Sequence, residues 1–504
     1  MKPTSATRRH PLLLEVPART WLSELSERAG RKVTLGDVPE EDLDALADLG
    51  FDAVWLMGAW TTGPDAEAIA RLEPALQPSY FRALPDYRPS DCAGSPFSIA
   101  AYEAPPELGG AEGLAAFRGA LRRRGIRLVL DFVPNHLGRD HPWVDEEPEI
   151  FVGGSAEDVV REPWAFFPNR DGRVIAHGRD PYFAPWTDSA QLNCALPRAR
   201  ERLLEILLSV SERCDGVRCD MAMLVLPEVL EKTWGARLGP DADRTSFWRD
   251  AIAAVKARRP GFLFIAEVYW GLEARLQEEG FDYTYDKGLY DLLARGDFEG
   301  ARRHLGADDA FQARCVRFVE NHDEERAAAA FGREGSRSAA AVALSAPGLR
   351  FFHYGQIEGR RVKLPAQLRR APREEPDPET ARFYRVFLDL LRDPCLQGDF
   401  EALEPRPAGP GDPSWRAVFA HLWTPPRRAD GAPLAALVVA NRSSGTAYAR
   451  VPLPERLVAP DRRYAFEDRL GGDRCERGGE ELLDPGLLVA LAPQQVHLFT
   501  AREA

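Results

Sequence analysis

Eight short apolar runs, each bounded by polar or turn residues, alternate with amphipathic stretches over most of this chain. They are Leu12 to Val16, Ala53 to Met57, Arg127 to Phe132, Gly216 to Asp220, Phe262 to Val268, Asp282 to Tyr285, Val316 to Glu320 and Arg350 to Tyr354. Runs of this length that lack a period of two read as strands buried on both faces, the signature of a parallel sheet. Between them the spacing is helical: Leu114, Phe117 and Leu121 share one face, as do Leu203, Ile206, Leu207 and Val210. Eight such alternations predict an α/β chain closed into a (β/α)8 TIM barrel, whose chemistry gathers at the carboxyl ends of its strands.

Two regions interrupt the alternation. From Leu137 to Ala195 no period holds, and the segment is rich in aromatics, among them Trp143, Trp164, Phe166, Phe167, Tyr182, Phe183 and Trp186. A loop this long inside a compact domain reads as a functional excursion, here after the third strand. Its rings could pack a core or offer a stacking surface to a ligand, and the sequence weighs these equally. Past a helix-like stretch from Pro376 to Arg392 come short β runs such as Ala436 to Gly445 and Leu487 to Phe499. The expectation is a catalytic barrel over residues 1–395, carrying an inserted subdomain at 137–195, and a C-terminal antiparallel β-sandwich over 396–504.

Four of the strand-like runs end in polar blocks: RLVLDFVPNH, DGVRCDMA, FLFIAEVYW and VRFVENHDEE. They carry Asp131, Asp220, Glu267 and Asp323. A lone Asp at a strand end is usually a helix cap or a surface charge, but four blocks in order point to one acidic site drawn from distant parts of the chain. The net charge of −13 and the absence of a basic block argue against a nucleic-acid partner. No apolar segment is long enough to span a membrane, and the run from Pro11 to Val16 is too short for a signal-peptide core. Seven Cys without paired short spacings favour reduced thiols and a cytoplasmic address.

Taken together, these blocks resemble the α-amylase superfamily of glycoside hydrolases and transglycosidases, and the likeness extends to the excursion and the C-terminal β domain. Position by position, the resemblance implies Asp220 as nucleophile, Glu267 as general acid/base and Asp323 as transition-state stabiliser. It implies supporting roles for Asp131, Asn135, His136, Arg218 and His322, and an aromatic platform at Phe97, with Tyr102 as its rival. The chemistry asks for such a set on its own account. Retaining cleavage of a glycosidic bond needs an ionised carboxylate to attack and a protonated one to release the leaving oxygen, about 5 to 5.5 Å apart. Arg218 lies two residues before Asp220, on the same side of a strand, and can hold it ionised, with Asp131 as a second partner. The apolar FLFIA setting should raise the pKa of Glu267 toward neutrality. A third carboxylate, Asp323, steadies the positive transition state, and His136 and His322 can either bond sugar hydroxyls or serve structure.

The chain departs from the family pattern after Asp220, where Met221, Ala222, Met223 and Leu224 supply no oxygen ligand, so no metal and no cofactor is expected. The Arg-rich segment from Gly355 to Pro376 could hold a phosphorylated sugar, but reads more readily as a solvated face. The expected function is retaining cleavage of α-linked oligo- or polysaccharides through a glycosyl ester on Asp220; glucan or maltosyl transfer with the same residues is the alternative. A non-catalytic sugar-binding barrel would have lost a carboxylate, and none is lost. A metal-dependent barrel enzyme would need a His and carboxylate cluster that nine scattered His do not form.

Overall fold

The computed structural model describes residues 8–426 and 433–504. Eight parallel strands close into a barrel in chain order: β1 (Leu12–Pro17), β2 (Ala53–Met57), β3 (Arg127–Phe132), β4 (Gly216–Cys219), β5 (Leu263–Ala266), β6 (Tyr283–Tyr285), β7 (Cys315–Arg317) and β8 (Leu349–His353). β1 pairs with β2 on one side (Leu13 beside Ala53) and with β8 on the other (Leu12 beside Arg350), which shuts the cylinder. Every residue of β2, β4, β5 and β8 is buried, because helices cover the outer face and side chains fill the inner one. The helix Gly110–Arg123 buries Leu114, Phe117 and Leu121, and Pro197–Arg213 buries Leu203, Leu207 and Val210 while Ile206 stays at the edge. Among the described residues no helix is long and apolar enough to cross a membrane.

Strand ends differ from the apolar runs in a way that matters to the site. β4 stops at Cys219 and β5 at Ala266, so Asp220 and Glu267 are the first residues beyond the ladder rather than the last within it. Each starts a loop at the barrel rim, where side chains are free to face a cavity.

The excursion has its own architecture. His136–Gly138 pairs antiparallel with Ser189–Gln191, and Phe166–Pro168 with Val174–Ala176. A helix at Ala156–Arg161 starts from a Ser155 and Asp158 capping box. Strands of three residues are too short to impress a period on the sequence, which is why the segment reads as featureless.

Beyond the helix Pro378–Leu391 the chain forms a six-stranded and a three-stranded antiparallel sheet. The central strand Ala435–Asn441 is buried at every position, and its faces divide the labour. Ala436, Val438 and Ala440 join the barrel core, whereas Ala435, Leu437 and Val439 join a separate core between the two sheets. Polar contacts fix the seam: Trp423 Nε1 donates to the Ser345 carbonyl at 2.7 Å, and the Ser345 hydroxyl meets His421 Nδ1 at 2.8 Å. The run from Leu487 to Phe499 is two strands, Leu487–Leu491 and Val496–Glu503, one in each sheet.

Candidate active site

Strand register brings the carboxylates together. Cys219 of β4 pairs with Ala266 of β5, so one step further places Asp220 beside Glu267. Adjacent strands run about 4.8 Å apart, so the two residues leave the barrel as close neighbours. The backbone keeps the register past the ladder: Asp220 N–H donates to the Phe132 carbonyl at 2.9 Å, and Glu267 N–H to the Cys219 carbonyl at 3.0 Å.

Arg218 lies between the two acids. Its Nη1 donates to Asp220 Oδ1 at 2.7 Å, and its Nη2 lies 2.7 Å from Glu267 Oε2 at an angle poor for a hydrogen bond, so the second contact is chiefly electrostatic. The expected second partner, Asp131, is not the one found. Its carboxylate is occupied by Trp55 Nε1 at 2.9 Å and the Gly58 N–H at 2.8 Å, beneath the cavity floor. Burial raises the Asp131 pKa to about 6 against the pull of Arg218. The Arg218 guanidinium also stacks between Trp55 and Phe97, 4.9 and 5.1 Å from their ring centres.

Glu267 is buried and finely tethered. The Met221 N–H donates to Oε2 at 2.7 Å and the Tyr269 hydroxyl meets Oε1 at 2.7 Å. To aim its N–H there, Met221 adopts a left-handed backbone with φ 40° and ψ 47°, uncommon outside glycine. Burial pushes the Glu267 pKa up to about 7, with Arg218 opposing and Asp220 and Asp323 reinforcing the rise. Because Oε2 already faces an N–H and a guanidinium, the proton of a neutral Glu267 belongs on Oε1, where the Tyr269 hydroxyl can turn to accept it.

Asp323 stands at the cavity mouth, about half exposed, 3.1 Å from His322 Nε2. Its N–H donates to Asn321 Oδ1 at 2.9 Å. The opposite ring nitrogen of His322 is hydrogen-bonded to Glu15 Oε1 at 2.6 Å, whereas the Asp323 contact is electrostatic. His136 lies across the cavity, its ring tilted 5.1 Å from Trp186, and burial lowers its pKa, favouring the neutral imidazole. Phe97 reaches the cavity and packs 5.4 Å from His322. Tyr102 does not reach it. Its hydroxyl accepts the Val133 N–H at 2.9 Å and donates to the Val133 carbonyl at 3.2 Å, which makes it a strut under β3.

These groups line one cavity of about 1100 Å³, walled by Asp220, Glu267, Asp323, His136, His322 and Phe97. The aromatic excursion divides in two. Phe166 and Phe167 pack its interior, whereas Trp164, Phe183 and Trp186 line the cavity, with Trp164 and Phe183 exposed. Asn135 points to no ligand cluster. Its carboxamide is paired reciprocally with Gln191, at 3.2 and 2.9 Å, and ties the excursion to β3. Among the described residues no group of three or more His, Cys, Asp or Glu could hold a metal ion. Four arginines of the Arg-rich segment are held in ion pairs, Arg360 with Glu24, Arg369 with Glu67, Arg370 with Asp91 and Arg373 with Glu27, while Lys363 donates to the Asp323 carbonyl. Only Gln367 of that segment reaches the cavity.

Sequence reasoning passed over Glu15 and Tyr269. Glu15 was marked by being the one ionisable residue in the run LLLEVP, and Tyr269 by standing two residues past Glu267.

The α-amylase catalytic-domain description matches residues 34–361. An α-amylase of Haloarcula japonica is 26% identical over 360 residues, 69% of this chain and 44% of that protein. An α-1,4-glucan:maltose-1-phosphate maltosyltransferase of Pseudomonas aeruginosa is 26% identical over 294 residues, 55% of this chain and 38% of that protein. The chain thus spans less than half the length of these curated relatives. Among solved structures, a noncanonic maltogenic α-amylase from Thermotoga neapolitana superposes with a TM-score of 0.70 at 17% identity, covering 99% of this chain and 100% of that one.

Proposed function

The chain belongs to the α-amylase family, and from that premise we propose that it cleaves α-glucosidic bonds of uncharged glucans by a retaining mechanism. Asp220 attacks the anomeric carbon while Glu267 protonates the departing oxygen. The resulting glycosyl ester on Asp220 is resolved by water, or by a sugar hydroxyl, that Glu267 then deprotonates. Asp323 faces the positive charge that develops on the ring. The observation that carries this reading is the pairing of Asp220 and Glu267 at matched register on one buried guanidinium. Phe97, beside His322 and under the cavity, is the surface on which the reacting sugar stacks. Asp131, in this reading, supports the floor through Trp55 and Gly58 without touching sugar.

The experiment is product analysis after incubation with single maltooligosaccharides. Shorter products alone support hydrolysis, longer ones support transfer, and an unchanged substrate overturns the proposal. Since the pKa of Glu267 lies at about 7 and the protonated form is the acid, kcat/KM is expected to hold level over about one pH unit below that value, with an acid limb lower down where the nucleophile takes up a proton. Above the Glu267 pKa the rate should fall about tenfold per pH unit. A pH profile of kcat/KM on a maltooligosaccharide checks this, and a flat response from pH 6 to about 9 would contradict it.

The cavity also selects against anions. Besides the three catalytic carboxyls its wall carries Asp180, Asp188, Glu273 and Asp291, while its Lys287 is already paired with Asp291 at 2.5 Å and Glu324 at 3.2 Å. With four arginines of the Arg-rich segment paired and Lys363 held on the Asp323 carbonyl, the charge that a sugar phosphate meets on this wall is mostly like its own, which costs several kcal/mol. Maltose 1-phosphate is therefore expected to be about a hundredfold poorer as a donor than a neutral maltoside, measured as kcat/KM. Equal use of the two would show that the phosphate finds a cation.

A further inference from the structure

Below Asp323 runs a file of buried ionisable groups for which the two-carboxylate chemistry has no use. Glu15 projects from β1, wholly buried, and its two oxygens face two histidines from opposite sides: His322 Nδ1 at 2.6 Å and His353 Nδ1 at 2.6 Å. His322 Nε2 also lies 3.1 Å from Asp323 Oδ2, at an angle poor for a hydrogen bond, so that contact is electrostatic. An ionised carboxylate only accepts hydrogen bonds, and a neutral imidazole has one N–H to give. A lone pair on Nε2 would repel the Asp323 carboxylate that it faces, so the ring suits both neighbours only when both nitrogens carry hydrogen. We propose that Glu15 is a positioning residue that keeps His322 as an imidazolium, so that the ring fixes the Asp323 carboxylate in its place over the cavity. This rests on reading Asp323 as the group that faces the charged transition state.

The surroundings agree with that assignment. The charged groups facing His322 are Glu15 from β1, Asp323 on its own loop and Arg218 from β4. Burial alone would strip the proton, yet Asp323 and Glu15 outweigh burial and Arg218, and the pKa stands at about 9. On the far side, burial and the Arg326 cation hold the His353 pKa down, despite Glu15 and the more distant Glu320. Of the two rings on Glu15, His322 therefore carries the charge. Burial would also push the Glu15 proton on, but the two imidazoles prevail and keep its pKa well below the usual carboxylate range. The outcome is a minus, plus, minus series that leaves net negative charge toward the sugar. A neutral His322 would have to abandon one carboxylate, and the exposed one is the easier to lose.

The test uses α-maltosyl fluoride, whose fluoride leaves without a proton from Glu267, so that the alkaline limb reports on His322 alone. In the wild type, first-turnover fluoride release should decline only above about pH 9, and in Glu15→Gln above about pH 6.5, the unperturbed histidine range. At pH 8 the variant is then about thirtyfold slower, with KM within about twofold and near-normal rates at pH 5.5. A variant slowed equally at every pH would show Glu15 to be merely structural and overturn the proposal. Independently of the variant's folding, ¹³C-histidine NMR of the wild type, assigned with His322→Gln, should show the His322 ring titrating near pH 9; titration near 6.5 overturns the proposal. Should the fluoride not be turned over at all, the proposed glycosidic chemistry fails, while the NMR titration still decides the state of His322.

Discussion

Asp220→Asn should lower turnover by about 10⁴-fold or more and leave the fold standing. Asparagine keeps an oxygen where Asp220 Oδ1 accepts from Arg218 Nη1, and the guanidinium keeps its contact with Glu267. What is lost is the negative charge and the nucleophilic oxygen, with no carboxylate at matched register to replace them, since Asp131 is tied down by Trp55 and Gly58. Initial rates on a maltooligosaccharide, set beside thermal unfolding of both proteins, check this. A variant with ordinary rates would take Asp220 out of the reaction.

Glu267→Gln has a different signature. Without an acid, glucans with sugar leaving groups should react about 10²- to 10⁴-fold more slowly. An α-maltosyl fluoride needs no proton, so the first step continues while the second loses its base. The ester should therefore accumulate on Asp220 and appear in the intact mass as one added maltosyl group, removed in a double variant with Asp220→Asn. A slowed variant that never accumulates adduct from the fluoride would assign Glu267 some other task. The carboxamide oxygen that replaces the carboxylate can still accept from the Met221 N–H, so the left-handed turn at Met221 need not rearrange.

The barrel was legible because its strands are covered on both faces, so that each became an unbroken apolar run with polar residues at its rim. β2 and β3 match their runs end to end. The Asp220 and Glu267 pair was legible for the same reason: the acids follow apolar strands that happen to be neighbours. Partnerships across the barrel were not. Glu15 lies 307 residues from His322 and 338 from His353, and no local pattern encodes a meeting at that distance. Asp131 does sit level with Arg218 across β3 and β4, yet an indole N–H and a backbone N–H occupy its oxygens, and neither donor is marked in the sequence. Tyr102 and Phe97 were interchangeable in sequence. Only the fold shows that one hydroxyl is consumed by Val133 while the other ring, with no hydroxyl to satisfy, is left facing the cavity.

Arg218, fixed between two acids, bears on the whole reaction cycle. In the proposed cycle one neighbour is an anion and the other a neutral acid before attack; once the ester forms, the first has become neutral and the second has given up its hydrogen. The negative charge migrates from one side of the guanidinium to the other while the guanidinium stays where it is, about 3 Å from either position. Neither half-reaction then has to create an isolated ion in a dry interior, and the same cation that readies the nucleophile afterwards readies the base.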